Sequence, residues 1–271
     1  MFGSDDGRLY ARDALIGGLS TLWTVDLGDP VVASPVFVDD VVVAATTGGR
    51  VVALAAEDQG RELWSYTGTE GSPLGPVDVD LAYADGVVYV ADREGRVHLV
   101  DVADGTAVCE PFEAFGPVVG NPIVADGITY LPTTTGALHL LPAGRCSGTP
   151  PGVVPQIGTS VAFQLPPAVA NGVVYALEEQ RLLAYDTRDG QLSVWAIPYD
   201  AGSRITTAPL VADGLVYIGT QDGRVIAVDA TDGTEVWSFR TGEPVAATPA
   251  VVPGAVFVVT GDGSVWALAG R

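Results

Sequence analysis

The chain has 271 residues and a formal net charge of −20, with 33 acidic residues against 13 basic ones, all of them arginine. A field of that sign repels phosphate, which excludes nucleic acid as a partner class. No uninterrupted apolar run reaches the roughly 18 residues that a membrane-spanning helix needs.

One pattern recurs about six times along the sequence: Pro, a short apolar stretch, Asp-Gly, a large apolar residue, Gly, Asp, then Trp. Its clearest copy runs from Thr207 to Phe239. The chain opens inside this pattern, with Met1 in the large-apolar slot, Gly7 in the glycine slot and Trp23 at the end of the unit. Residues 1–28 are therefore expected to form a partial unit lacking its first two strands. The following units are anchored on Val43, Tyr89, Tyr130, Tyr175, Tyr217 and Phe257. Eight residues before each anchor stand Pro35, Leu81, Pro122, Pro167, Pro209 and Pro249. Six residues after them stand Gly49, Gly95, Gly136, Gly223 and Gly263, while the Tyr175 copy reads Glu178-Glu179-Gln180-Arg181 there. Residues 244–271 form a second partial unit, which lacks its Trp strand.

Each slot has a physical reading. The apolar runs of four to six residues predict strands. Asp-Gly at 85–86, 213–214 and 222–223, with Asn171-Gly172, supplies the positive φ of tight hairpins. The proline opens a strand, where its missing N–H costs least. Four short strands in a period near 40 predict a four-stranded antiparallel meander repeated as the blades of an all-β propeller. About seven repeat units in a single β-propeller domain over 1–271 are expected; six units or a fragment of eight are the alternatives.

The string Gly-Arg-Val-Ile-Ala-Val-Asp-Ala-Thr-Asp-Gly-Thr-Glu-Val-Trp at 223–237 resembles the repeat of the PQQ-like, quinoprotein-type propellers, and residues 1–14 match the same motif. The resemblance implies that Trp23, Trp64, Trp195 and Trp237 dock between blades, with Cys109 in the equivalent slot of the second full repeat. Replacing Trp237 by Ala is then expected to cost about 3–5 kcal/mol. The family's quinone dehydrogenases carry adjacent cysteines above the cofactor, which this chain lacks, so no catalytic set and no cofactor are expected. The resemblance points to the non-enzymatic branch, which includes the outer-membrane assembly propeller lipoprotein and bacterial kinase sensor propellers. It implies a scaffold or sensor that binds a protein or peptide partner through blade-end loops, in an extracytoplasmic setting if the full-length protein has an export signal. The Lys-free composition weighs toward the sensor or exported form.

Three clusters carry candidate chemistry. His98, Cys109, His139 and Cys146 fall in neighbouring repeats, but no Cys-x-x-Cys or His-x-x-x-His spacing joins them, so no metal is expected. In an exported protein Cys109 and Cys146 would form a disulfide across the loop 142–152; otherwise they are inert thiols. Asp78, Asp80 and Asn121 form the polar sector of the residues before the proline slot. They are the candidate ligand or ion site at the mouth of a central channel, the alternative to partner binding. A quinone-dependent dehydrogenase is the third reading.

Overall fold

The computed structural model describes the chain apart from residues 14–19, 115, 119, 144–151, 155–164, 179, 188–194, 196–198, 270 and 271. Among the described residues the regular structure is strand alone, in two compact units. The first comprises 1–135 and 139–153, the second 136–138 and 154–271.

The first unit opens with β1 (Phe2–Gly3), β2 (Arg8–Arg12) and β3 (Thr21–Asp26) in one sheet. The second sheet holds β4 (Val36–Val38), β5 (Val41–Ala45), β6 (Val51–Ala55) and β7 (Arg61–Tyr66), followed by a small hairpin, β8 (Gly68–Thr69) and β9 (Ser72–Pro73). The third holds β10 (Ala82–Ala84), β11 (Val87–Ala91), β12 (Arg96–Asp101) and β13 (Phe112–Glu113). The fourth holds β14 (Ile123–Ala125), β15 (Ile128–Pro132), β16 (Leu138–Pro142) and β17 (Gly152–Val154). The second unit continues with β18 (Ala168–Ala170), β19 (Val173–Glu178), β20 (Arg181–Asp186) and β21 (Tyr199–Asp200). Next come β22 (Leu210–Ala212), β23 (Leu215–Gly219), β24 (Arg224–Asp229) and β25 (Glu235–Arg240). A three-stranded sheet of β26 (Ala250–Val252), β27 (Ala255–Val259) and β28 (Val265–Ala269) ends the chain. Strand order follows chain order in every one of these sheets, the meander of a propeller blade.

The repeat slots map onto the sheets in one register. Each anchor faces the first strand of its own sheet: Val43 pairs with Val36, Tyr89 with Ala82, Tyr130 with Ile123, Tyr175 with Ala168, Tyr217 with Leu210 and Phe257 with Ala250. Every slot proline stands one residue before its strand, clear of the ladder. At 85–86, 126–127, 171–172 and 213–214 both turn residues have positive φ, the paired left-handed geometry of a tight hairpin.

Three expectations change. The first sheet keeps a remnant of its second strand, because Phe2 and Gly3 pair with Tyr10 and Leu9. At 222–223 only Gly223 is left-handed. Asp222 instead accepts a hydrogen bond from the Thr220 hydroxyl and an ion pair from Arg224. In the third sheet the fourth strand shrinks to Phe112–Glu113, leaving Cys109 before it.

Both faces of the inner blades are apolar, since sheets stack on sheets. Val43, Ala45, Val51 and Ala53 of the second sheet pack with Val88, Val90 and Val100 of the third. Leu182 and Ala184 pack with Val216, Ile218 and Ile226 in the second unit.

Candidate functional site

The docking tryptophans are built from backbone as much as from side chain. In three places a Trp of one repeat unit donates its indole N–H to a carbonyl in the turn after the third strand of the next sheet. Trp23 Nε1 reaches Ala56 O at 2.8 Å, Trp64 Nε1 reaches Val102 O at 2.8 Å, and Trp195 Nε1 reaches Ala230 O at 3.1 Å. A glycine in each receiving turn lets the ring approach. A Cβ on Gly105 would lie 2.5 Å from Trp64 Cδ2, and one on Gly233 would lie 2.8 Å from Trp195 Cδ2. Both glycines have positive φ, so the turn and the close approach require glycine together.

Trp237 occupies the same rung, opposite Ala227 as Trp64 is opposite Ala53. Its surroundings differ. It is half-buried, packs edge-on to Tyr217 with ring centroids 6.0 Å apart, and lines an open cleft of about 290 Å³ with Leu215, Val251 and Val256. A smaller truncation effect is therefore expected at Trp237 than at the enclosed Trp195 and Trp23. A second cleft, of about 580 Å³, lies in the first unit between Phe2, Arg12, Val31 and Phe37.

The polar sector forms contacts within the fold. Asp80 Oδ1 accepts the Ser34 N–H at 2.6 Å, so the residue before one proline slot ties to the residue before the neighbouring one. Asp78 pairs with Arg93, whose Nη2 lies 2.5 Å from Oδ2. Asn121 is exposed in the corresponding slot of the fourth sheet. Among the described residues no group of three or more His, Cys, Asp and Glu is placed to hold a metal ion. Cys109 is disulfide-bonded, and Cys146, the other cysteine of the sequence, lies outside the described residues.

A buried network that the sequence reading passed over joins the second and third sheets. The slot three residues before the glycine holds Thr46, Thr133, Thr220 and Thr260, all buried, but Asp92 in the third sheet. Thr46 and Thr220 accept the N–H four residues on, and Asp92 Oδ1 accepts that of Arg96 at 2.8 Å. The second carboxylate oxygen accepts from Gly75 N and from Arg96 Nε, each at 2.9 Å. Burial pushes the Asp92 carboxyl up, but these donors and the Arg96 charge outweigh it and hold it below its ordinary value. His98 Nε2 points to the same oxygen at 3.9 Å, beyond hydrogen-bond range, and has no hydrogen-bond partner. Its Nδ1 meets the Tyr66 hydroxyl at 2.8 Å across the blade interface. Burial, with Arg96, drives the His98 pKa down to about 4 against the opposing pull of Asp92. Burial, reinforced by Glu110, raises Tyr66 to about 12. Tyr, His and Asp in a row could serve proton transfer, but His98 is sealed from solvent, so the row works as structure. The sequence signal was an Asp in a Thr slot.

Charge is divided between the two ends of each blade. Arginines that begin or precede third strands pair with acids of the turn joining second and third strands in Arg96–Glu94 and Arg224–Asp222, while Arg50 reaches Glu62 on the fourth strand. The opposite end carries the hairpin acids Asp39, Asp85, Asp126 and Asp213, with Asp104 and Asp232 in the turns after the third strands. Asp104 and Asp232 accept N–H groups from their own turns.

The sequence matches the family model of outer membrane protein assembly factor BamB over residues 1–110 and 193–271, more than two thirds of the chain. That factor from Salmonella typhimurium is 28% identical over 243 residues, covering 82% of this chain and 61% of the relative. The chain spans about half to three fifths of the length of the first curated relatives it matches. The crystal structure of BamB from Moraxella catarrhalis superposes with a TM-score of 0.76 at 18% identity, over 98% of this chain and 80% of that one, a likeness of fold. A shorter stretch of 85 residues is 35% identical to the dehydrogenase subunit of a quinone-type alcohol dehydrogenase from Gluconobacter oxydans, covering 28% of this chain and 11% of that protein. The BamB relatives stand on the outer-membrane side of the resemblance, which the Lys-free composition had weighed against. The repeat register, the docked tryptophans and the extent of the family match together show that the chain belongs to the family of the outer membrane protein assembly factor BamB.

Proposed function

We propose that residues 1–271 form one continuous, non-catalytic propeller scaffold that serves outer-membrane protein assembly by binding a protein or peptide partner through blade-end loops. Family membership carries this reading. The fate of two of the three candidate polar groups supports it, since Asp78 and Asp80 are engaged by Arg93 and Ser34 within the fold. We assign the partner to the acidic end, where among the described residues no arginine is paired with Asp39, Asp85, Asp126 or Asp213, although Arg61 pairs with Asp58 in the turn after one third strand. A partner segment rich in Lys or Arg fits it, with the field speeding encounter and fixing orientation. The test is capture from an extract of the native host on the immobilised chain. A dominant partner should be retained and released at about 0.5 M salt, where screening shortens to a few ångströms. Replacing Asp39, Asp85, Asp126 and Asp213 by Asn keeps the left-handed turns and removes the charge; retention should then fall. Unchanged retention removes the assigned end, and failure to capture any protein counts against the scaffold. A calcium titration of the thermal midpoint serves as the control, because an ion bound at Asp78 and Asp80 would raise it.

We further propose an oxidising, extracytoplasmic location with a Cys109–Cys146 disulfide. Cys109 being disulfide-bonded supports this. Alkylation of the unreduced, denatured protein should leave its mass unchanged, and alkylation after reduction should add two labels. Two labels without reduction would refute the pairing.

A further inference from the structure

Three departures from the repeat meet where the chain enters the third sheet. The stretch from Trp64 to Leu81 is five residues longer than that from Trp23 to Pro35 or from Trp237 to Pro249, and it accommodates the hairpin β8–β9. Asp92 stands in a threonine slot. His98 stands where two other sheets place Val52 and Ile226.

The hairpin is closed by the Leu74 N–H on Thr67 O at 2.9 Å. Two bonds tie it to the third sheet. The Thr69 hydroxyl donates to Glu110 Oε2 at 3.2 Å, and the Gly75 N–H, at the hairpin base, donates to Asp92 Oδ2 at 2.9 Å. Thr46 and Thr220 serve their own turns by accepting the N–H four residues on. The longer carboxylate of Asp92 serves its turn and also reaches the incoming linker.

Asp92 Oδ2 is therefore a shared acceptor. It takes Gly75 N–H and Arg96 Nε–H, and His98 Nε2 faces it from 3.9 Å, buried and without a hydrogen-bond partner. A neutral imidazole leaves this arrangement undisturbed. A protonated one carries N–H on both nitrogens. Its Nδ1 is taken up by the Tyr66 hydroxyl, so its Nε2–H is drawn to the carboxylate beside it. An oxygen with two lone pairs does not hold a third strong donor, and the uncharged Gly75 amide is the weakest of the three.

We infer that β8–β9 is an acid-released hairpin: when His98 takes up a proton, its Nε2–H displaces the Gly75 N–H from Asp92 Oδ2, and the hairpin comes free of the third sheet. The charged and titratable groups around His98 are Asp92 and Arg96 on its own sheet and Tyr66 on the second, with Glu94 paired to Arg96 and Glu110 acting on Tyr66. Asp92 keeps its charge in mild acid and Tyr66 its proton. Burial holds the imidazole neutral down to about 4, and a loosened interface returns it toward 6.5, so the released form gains population as the pH falls between those values. Tyr66 pairs with Val51, which places the hairpin at the end of the blades away from the hairpin aspartates, so this device does not rest on the partner site proposed there.

Amide hydrogen exchange of the 271-residue chain at pH 7 and pH 4.5, corrected for intrinsic rates, tests the release. Protection of Leu74 and Gly75 should fall at least about tenfold at pH 4.5. Their exchange should stay indifferent to about 0.5 M urea, the mark of a local opening, while Ile226 and Val228 in β24 remain better protected. His98→Val, which supplies the aliphatic side chain of the slot, and His98→Gln should both abolish the pH response, and Glu110→Gln should keep it. Unchanged protection in the wild-type chain overturns the proposal. So does a response that persists in both His98 variants, one that Glu110→Gln abolishes, or exchange at Gly75 that rises with urea as it does at Val228.

Discussion

Replacing Trp195 by Ala lowers the unfolding free energy by about 3–5 kcal/mol, the cost of removing a fully enclosed tryptophan from a packed interface. Trp195 is 1% exposed, its ring lies on Gly233 and Tyr175, and its N–H is bonded to Ala230 O. Truncation therefore opens a cavity and removes one of the two hydrogen bonds that Ala230 O accepts, the other coming from the Tyr175 hydroxyl. Trp23→Ala should behave alike, since that ring is 8% exposed and bonded to Ala56 O. Trp237→Ala should cost less, because that ring is only partly buried and lines an open cleft. Urea unfolding of the three variants at pH 7 measures the series. Equal losses at all three positions would mean that burial in the receiving turn contributes nothing. Gly233→Ala should approach the Trp195 loss from the other side, through a Cβ held against the indole in a strained left-handed turn.

Stability should also fall as pH drops from about 6.5 to about 4, with His98 as the main titrating group. Unfolded, the imidazole takes a proton below its ordinary 6.5; folded, it resists down to about 4. The unfolded state therefore binds more protons across that window, and its share of stability, complete above pH 6.5, is lost as the pH falls through it. A gap of that size corresponds to about 3 kcal/mol. Burial lowers the pKa of His139 as well, so it adds in the same direction. Asp92, held below its ordinary value, adds a further loss in more acid solution. His98→Gln removes the His98 share alone. Urea titrations at pH 7 and pH 4.5 should show a smaller difference for the variant than for the wild type. An unchanged difference would show that His98 accepts its proton without opening the interface with Tyr66.

The repeat was legible because every slot answers a local requirement. Asp85-Gly86 and Asp213-Gly214 specify hairpins whatever surrounds them, and Pro209 before Leu210 opens a strand because its ring cannot sit inside the ladder. The partial first unit was read one strand short, since two residues, Phe2 and Gly3, are too few to carry a period. Asp78 and Asp80 stood out by composition, yet their roles depend on partners 15 and 46 residues away, Arg93 and Ser34. Asp92 and His98 were visible as exceptions to their slots, but the contact that gives His98 its character comes from Tyr66 in the preceding sheet.

By itself, then, the sequence determined the all-β meander, its register and the positions of its turns, because hydrophobic period and turn conformation are properties of neighbouring residues. Tertiary structure alone decided which tryptophans are enclosed and which carboxylates are engaged by arginine or backbone N–H. Those outcomes depend on what the adjoining sheet brings within a few ångströms, and a side chain's own identity does not encode its neighbour across an interface.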